Sequence, residues 1–355
     1  MTRSTLNPWL NRFAILTAAT TLALIGAGGL VTSHGAGMAV PDWPTTYGYN
    51  MFLFPVSQWV GGIFYEHTHR LLASLVGFLT IILMVWLWCK EERRWLRHLG
   101  VAALAAVVAQ GVLGGLRVTL FKAQLGIFHA TLAQLFFVLL CLIAVFTSKA
   151  WVRGAFSDFT VPPGLRYLFV AGTVLVLIQL ILGAAMRHQH AGLAVPDFPL
   201  AYGKVWPATD AASLEKINQS RVDVRDFGAV TAFHVRLHMA HRLGAATVLA
   251  WVAGCAWAVR RSAALPPLAR RMAFGWLGVI LLQALLGAGT VWSNKAADIA
   301  TAHVVLGAVS LAVGALISCL LSRLTWDTRN DVGLQERGIL TASASFARMG
   351  KNALA

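Results

Sequence analysis

Eight stretches of mostly apolar residues divide this chain, and nothing else in the sequence limits its fold so strongly. They cover residues 13–33, 65–89, 99–116, 125–148, 167–186, 233–259, 272–293 and 299–322. Each is near the ~20 residues an α-helix needs to cross the hydrocarbon core of a bilayer. No water is available there to satisfy backbone N–H and C=O groups, so runs of this length are read as helices. Composition agrees, because 57% of the 355 residues are hydrophobic and 12% are charged, about half the charged share of a soluble domain. A net charge of +15 would suit nucleic acid if the basic residues formed a patch or stripe. They sit instead in short clusters between apolar runs, so nucleic-acid binding is excluded.

Those clusters also give an orientation. Lys90, Arg93, Arg94 and Arg97 follow the second run, Lys149, Arg153 and Arg166 the fourth, and Arg260, Arg261, Arg270 and Arg271 the sixth. The connection 34–64 has no Lys or Arg, while 188–232 sets Lys204, Lys216, Arg221 and Arg225 against five acids. Lys and Arg favour the cytoplasmic side, which puts both termini inside and both long connections outside. The first run is too long for the h-region of a signal peptide and no small-residue cleavage site follows it, so it reads as the first span. Cys89, Cys141, Cys255 and Cys319 fall in or at the ends of apolar runs, where buried thiols are expected rather than disulfides or thiolate metal sites. Residues 324–355 form a polar tail of mixed charge, expected in the cytoplasm.

The chain repeats itself. Gly37-Met-Ala-Val-Pro-Asp-Trp-Pro44 returns as Gly192-Leu-Ala-Val-Pro-Asp-Phe-Pro199, and Tyr47-Gly48 as Tyr202-Gly203, all at an offset of 155. His69-Arg70 returns as His241-Arg242 at 172, Gln110 and Gly114 as Gln283 and Gly287 at 173, and His129 as His303 at 174. The jump from 155 to 172 marks an insertion in the second long connection, where added length costs little. Four spans per copy is an even number, so both copies point the same way. The expected architecture is therefore an all-α integral membrane protein: eight transmembrane helices in two tandem four-helix bundles, related by a pseudo-twofold axis along the membrane normal. Residues 1–150 form the first half and 151–323 the second. Gly26, Gly28, Gly29, Gly111, Gly114, Gly115, Gly183, Gly287 and Gly289 recur at the outer ends of odd-numbered spans. They allow close helix packing or leave room for a flat ligand.

Ionisable residues inside spans are costly and mark function by default. His69, His129, His241 and His303 each lie a few residues into an even-numbered span, within roughly 10 Å of its outer end at 1.5 Å per residue. Two histidines per copy, at one depth on different helices, can provide the two axial imidazoles of a six-coordinate haem iron. Zinc would usually require three or four protein ligands, and the nearby third candidates differ between the copies. Arg70 and Arg242 suit haem propionates, although an interfacial arginine also snorkels to headgroups. His34, His67, His98, His188, His190, His234 and His238 are read as surface, capping or packed residues.

Alignment of the copies on His69 and His241 places His238 opposite Glu66. Glu66 stands one helical turn before His69 on the same face, beside the expected haem edge and placed for proton transfer. A helix-start acid favoured by the dipole is the other reading. If Glu66 acts, the first copy carries the chemistry and the second holds a permanent haem.

Glu66-x-x-His69-Arg70, His129, His241-Arg242 and His303, in order across eight duplicated spans, resemble the haem A synthase family over nearly the whole chain to about Ser322. The resemblance implies an oxidoreductase of a bacterial inner membrane that takes haem O to haem A, oxidising a ring methyl to a formyl by successive hydroxylation. It implies His69 and His129 as ligands of the substrate haem O, Glu66 as the catalytic carboxylate, and His241 and His303 as ligands of a cofactor haem b. A haem O synthase would supply substrate, and an unidentified acceptor would take electrons. Some bacterial members carry a cysteine pair in an outer loop, and this chain has none there, so a mechanism through such thiols is excluded. The repeated Val-Pro-Asp-(Trp/Phe)-Pro segment, with Trp43 and Phe198, suits a lid over each pocket or an interfacial anchor. Two alternatives are a dihaem cytochrome b-like, quinol-linked electron carrier and a transporter. The carrier has no need of an acid in one copy, and the transporter would show polar residues at the midplane.

Overall fold

The computed structural model describes residues 6–322 apart from 121, 123, 154–162, 221–227, 263, 264 and 266; the expected tail 324–355 lies outside the described residues. All eight expected spans are helices: α1 Pro8–Ser33, α2 Gly61–Lys90, α3 Arg94–Thr119, α4 Leu125–Phe146, α5 Pro163–His188, α6 Ala232–Arg261, α7 Pro267–Trp292 and α8 Ala297–Ser322. Every one is long and apolar enough to cross a bilayer. The described residues contain no strand, only two isolated bridges in the long loops. The protein is an all-helical, multi-pass membrane protein.

Most of the helices start before the apolar segments that announced them. α1 starts at Pro8, where Asn7 Oδ1 accepts from Leu10 N at 3.1 Å. An asparagine cap followed by proline is a strong helix start. Hydropathy marks only the hydrocarbon core, whereas intrahelical bonds continue into the headgroup region at no cost. Within α1, Thr17 and Thr21 hydroxyls donate to the carbonyls of Phe13 and Thr17, at 2.9 and 2.8 Å. This is how a polar side chain survives in a span without a partner helix.

α1, α2, α3 and α4 close on one another, with α1 packing on both α2 and α4. Leu10, Leu83, Leu87, Leu140 and Ile143 fill their common core. In the second half α6 packs on α5 and α7. α8 joins through Trp276 Nε1, which donates to the Ser310 carbonyl at 2.9 Å, and through Thr173 and Ser318 hydroxyls 3.2 Å apart. Phe169, Val252, Cys255, Trp276 and Leu321 form that core. The two groups of four helices meet in several places, among them the bonds from Arg187 of α5 to Gly29 and Ser33 of α1. α4 packs on α5, and α8 packs on α1, where a Cβ at Gly29 would come within 2.8 Å of Thr301 Cγ2. Large apolar side chains such as Phe78, Val108, Phe128 and Leu285 point outward, as expected where the surrounding solvent is lipid.

The two long loops share one end of the bundle, called here the loop-rich face. In each, a tyrosine with positive φ (Tyr47 50°, Tyr202 53°) precedes a glycine with φ of 78° or 73°. Only glycine takes the left-handed region without penalty. The tyrosine amides bond Asp42 and Asp197 at 2.8 and 2.7 Å, the Gly48 and Gly203 amides bond the other carboxylate oxygens at 2.9 Å, and the tyrosine hydroxyls donate to Ala39 and Ala194 carbonyls at 2.5 Å. The insertion in the second loop folds as a helix, Ala211–Gln219, capped by Asp210. It is tied to the loop's end by Asn218, whose side chain bonds Val230 N and O at 2.7 and 3.0 Å.

Candidate functional site

Each of the four span histidines rests on a glycine of the preceding helix. A Cβ at Gly28 of α1 would lie 3.1 Å from His69 Cε1; the distances for Gly114 to His129, Gly183 to His241 and Gly287 to His303 are 3.3, 3.2 and 3.2 Å. These glycines serve close approach, as expected, but what approaches is an imidazole edge. A Cβ there would press on the ring, tighter than an ordinary van der Waals contact.

Four residues before three of those glycines stands a glutamine. Gln110, Gln179 and Gln283 donate through Nε2 to the carbonyls of His129, His241 and His303 at 3.0, 2.8 and 2.9 Å. Before Gly28 the equivalent residue is Leu24. Gln179 leaves no mark in the repeat because its counterpart is that leucine. The signal that could have found it is glutamine four residues before glycine on three odd-numbered helices.

The imidazoles differ in how their Nδ1 atoms are held. His303 Nδ1 bonds the Gln283 carbonyl at 3.1 Å, and His241 Nδ1 meets Gln179 Nε2 at 3.1 Å. His69 and His129 face the carbonyls of Leu24 and Gln110 without a formed bond at Nδ1. An Nδ1 that donates to a carbonyl, as at His303, leaves Nε2 for a metal, whereas at His241 the neighbour of Nδ1 is an amide donor.

The second pair fits an iron between its rings. His241 and His303 ring centroids are 6.5 Å apart. Two imidazoles on one metal have centroids roughly 6 Å apart, because each metal–nitrogen bond is about 2 Å. His69 and His129 lie within electrostatic reach of each other. Among the described residues no group of three or more His, Cys, Asp and Glu converges as a metal cluster, whereas paired imidazoles are what a haem takes.

Glu66 is buried at 4% exposure. It is not isolated there. Its Oε1 accepts from Arg70 NH2 at 2.7 Å and its Oε2 from Val40 N at 2.9 Å. Arg70 also donates to the carbonyls of Val40, Asp42 and Thr45 at 2.8, 2.7 and 3.0 Å. Arg242 does the same in the second loop, to Val195, Asp197 and Leu200 at 3.3, 2.6 and 2.8 Å. Both arginines thus hold the repeated loop down beside the histidines, and any propionate would be a further partner of an engaged group. In place of Glu66, His238 bonds the Ala191 carbonyl through Nδ1 at 3.1 Å. Trp43 packs flat against Gly115, and Phe198 meets Trp292 edge-on at 5.9 Å.

The remaining histidines are spread over other tasks. His34 stacks on Tyr65 at 4.0 Å, and His67 is enclosed by Phe54 and Trp59 with its Nδ1 3.3 Å from Thr46 Oγ1. His234 closes a capping box with Thr231, and His98 meets Trp88 edge-on. His190 adopts a left-handed conformation before a short 3-10 turn. His188 packs on Gly126, one turn before His129.

Fold and site together define a class: a multi-pass helical membrane protein with half-buried imidazoles seated on glycines of neighbouring helices. The chain belongs to the cytochrome oxidase assembly protein family, COX15-CtaA, whose profile matches residues 11–315. It is 27% identical over 326 residues to the heme A synthase of Geobacillus kaustophilus, with 87% of this chain and 88% of the relative covered. The heme A synthase of Bacillus licheniformis is 25% identical over 304 residues, covering 84% and 91%. That of Lysinibacillus sphaericus is 23% identical over 317 residues, covering 87% and 94%.

Proposed function

We propose that this protein is an oxidoreductase that converts haem O to haem A, oxidising a ring methyl to a formyl by successive hydroxylation. The observation that carries the reading is the inequality of the copies at one position. Glu66, buried and held by Arg70 and Val40 N, faces His238 in the alignment, and His238 is spent on a loop carbonyl. A pure electron carrier needs no such acid, so the dihaem alternative loses its support.

His69 and His129 bracket the substrate haem O, and His241 and His303 hold a haem b. When bound, haem b supplies one-electron transfer. The bond from His303 Nδ1 to the Gln283 carbonyl suits permanent retention, and the looser Nδ1 atoms of the first pair suit a substrate that exchanges. Glu66 accepts and returns a proton at its carboxylate, and Arg70 keeps that carboxylate aimed while seating the loop over it. Arg242 seats the second loop, and both arginines present charge toward the propionates. The internal repeat supports two tandem halves, 1–150 and 151–323, about a pseudo-twofold axis, with haem sites near the outer face of a bacterial inner membrane. The Lys and Arg clusters support both termini in the cytoplasm. A haem O synthase is the natural supplier of substrate, and an unidentified acceptor takes the electrons.

Glu66→Gln tests this reading, because it keeps the size and an acceptor for Arg70. Extracted haem from cells carrying the variant is expected to retain haem b while haem A falls by about 10²–10⁴-fold, the usual contribution of a general acid–base. Haem A formed at the wild-type level overturns the assignment.

A further inference from the structure

Arg187 places a cation at the seam between the two groups of four helices. It lies in the last turn of α5, at the loop-rich face. Its NH2 donates to Ser33 Oγ at 2.8 Å and to the Gly29 carbonyl, both on α1. Those bonds fix the guanidinium, while its Nε is buried without a hydrogen-bond partner. Arg117 acts on its charge and no carboxylate does. A guanidinium keeps its proton in a protein, so a full positive charge stays at the seam. A charge held in a span without its opposite is costly, and that cost marks function.

The anchor of Arg187 touches the framework of both histidine pairs. Gly29 follows Gly28, which seats His69, and a Cβ at Gly29 would come within 2.8 Å of Thr301 Cγ2. Ser33 Oγ lies 3.4 Å from Thr301 Oγ1. Thr301 precedes His303 by two residues on α8, about 3 Å along the helix axis. Arg187 is thus held at the depth of the second pair, and its charge acts on His303. Arg242 acts on neither His241 nor His303, and it has Asp197 as a counter-charge. The first pair has Arg117 and Arg70 nearby; in the second, among the described residues, Arg187 takes that part. At the offset of 155 its counterpart is Thr32, an uncharged residue whose hydroxyl donates to the Gly28 carbonyl at 3.0 Å. The charge therefore belongs to the second copy's use of this position.

We infer that Arg187 is an electrostatic positioning residue of the second site, whose fixed charge raises the reduction potential of the haem iron held between His241 and His303. A ferric iron that gains one electron loses one positive charge, and a nearby cation favours that product. The effect suits a half that takes electrons from the other. The inference rests on reading His241 and His303 as haem b ligands.

The test is a potentiometric titration of the full-length, haem b-loaded protein in phosphatidylcholine nanodiscs, followed by absorbance. Every sample also carries His129→Ala, so that the second pair is the one able to give a six-coordinate spectrum. Arg187→Gln and Arg187→Thr are expected to keep that spectrum and to lower the ferrous-to-ferric ratio at a fixed potential about tenfold. A unit charge roughly 10 Å away has an effect of that size at an effective dielectric of about 20. The midpoint then falls by about 59 mV for one electron. Arg187→Lys, which keeps the charge and loses the planar fork, should stay near the wild-type midpoint. An unchanged or higher midpoint in the neutral variants overturns the proposal, and so does an equal fall in the Lys variant, which would assign the effect to packing. Loss of the six-coordinate spectrum from both neutral variants also overturns it, because Arg187 would then serve to hold the fold. A six-coordinate spectrum that survives His241→Ala refutes the ligand reading itself, and that outcome is distinct from the others.

Discussion

Four hydrogen atoms, one on each of Gly28, Gly114, Gly183 and Gly287, set the position of the four imidazoles. Val at Gly287 would place branched carbons where His303 Cε1 now sits 3.2 Å from an ideal Cβ, and overpacking of that kind is not absorbed by a helix pair. Gly287→Val is expected to lose most of the six-coordinate haem b signal, read in the absorption spectrum of the purified protein. Gln179 acts more gently. It holds the His241 carbonyl at 2.8 Å and meets Nδ1 at 3.1 Å, and removal of such outer partners typically weakens a metal site by about 10–100-fold. Gln179→Leu, which copies Leu24 of the first half, should speed haem b transfer to apomyoglobin by about tenfold or more. An unchanged transfer rate would mean that the glutamine only packs. Gln179 fits closely against Gly244, and the residue aligned with Gly244 in the first half is Leu72. The pair Leu24 and Leu72 thus stands where the second half has Gln179 and Gly244.

At the scale of an element, the repeated loop is a folded unit and not a strap between helices. Asp42 organises it. Burial opposes its charged form, but bonds from the Gly48 amide, the Thr45 hydroxyl and the Tyr47 amide outweigh that and hold the acid below its ordinary value of 3.8. A lowered native value means that the carboxylate stabilises the loop above pH 3.8. That contribution fades as pH falls below 3.8 and through the native value. Amide exchange at Tyr47 and Gly48, corrected for the intrinsic rate, should therefore accelerate in acid and stay flat from pH 5 to 8. Asp42→Asn should weaken the loop at neutral pH by about 1–3 kcal/mol, and exchange at neutral pH as slow as in the wild type, or an acid acceleration that persists in the variant, would count against Asp42 as the organiser. The Val-Pro-Asp spacing was legible as a repeated segment. That Arg70 and Arg242 would pin it through carbonyl oxygens was not, because backbone acceptors leave no mark in a residue sequence.

Across the whole molecule, the halves meet along small residues. Gly29 faces Thr301 of α8, Gly26 faces Val305, and Ser33 lies 3.4 Å from Thr301 Oγ1. Without a hydrophobic drive between helices in lipid, such close contact supplies the cohesion. Gly29→Leu should spread α1 from α8, lower stability by about 1–3 kcal/mol and disturb Arg187, which bonds the Gly29 carbonyl. The expected outcome is a lower melting temperature in detergent, and an unchanged one would show that the halves are held elsewhere.

The sequence by itself determined the number of spans, the all-helical class, the duplication and the histidines worth attention. Those are patterns within one stretch of chain, or between two stretches compared in register, and the absence of water in a bilayer leaves an apolar run of that length little alternative to a helix. Tertiary structure alone decided which side chains meet. Gln179 against His241, Glu66 against Arg70, and Arg187 against Gly29 all depend on the rotation and depth of one helix relative to another. Those depend on contacts summed over whole faces, and no local pattern encodes them.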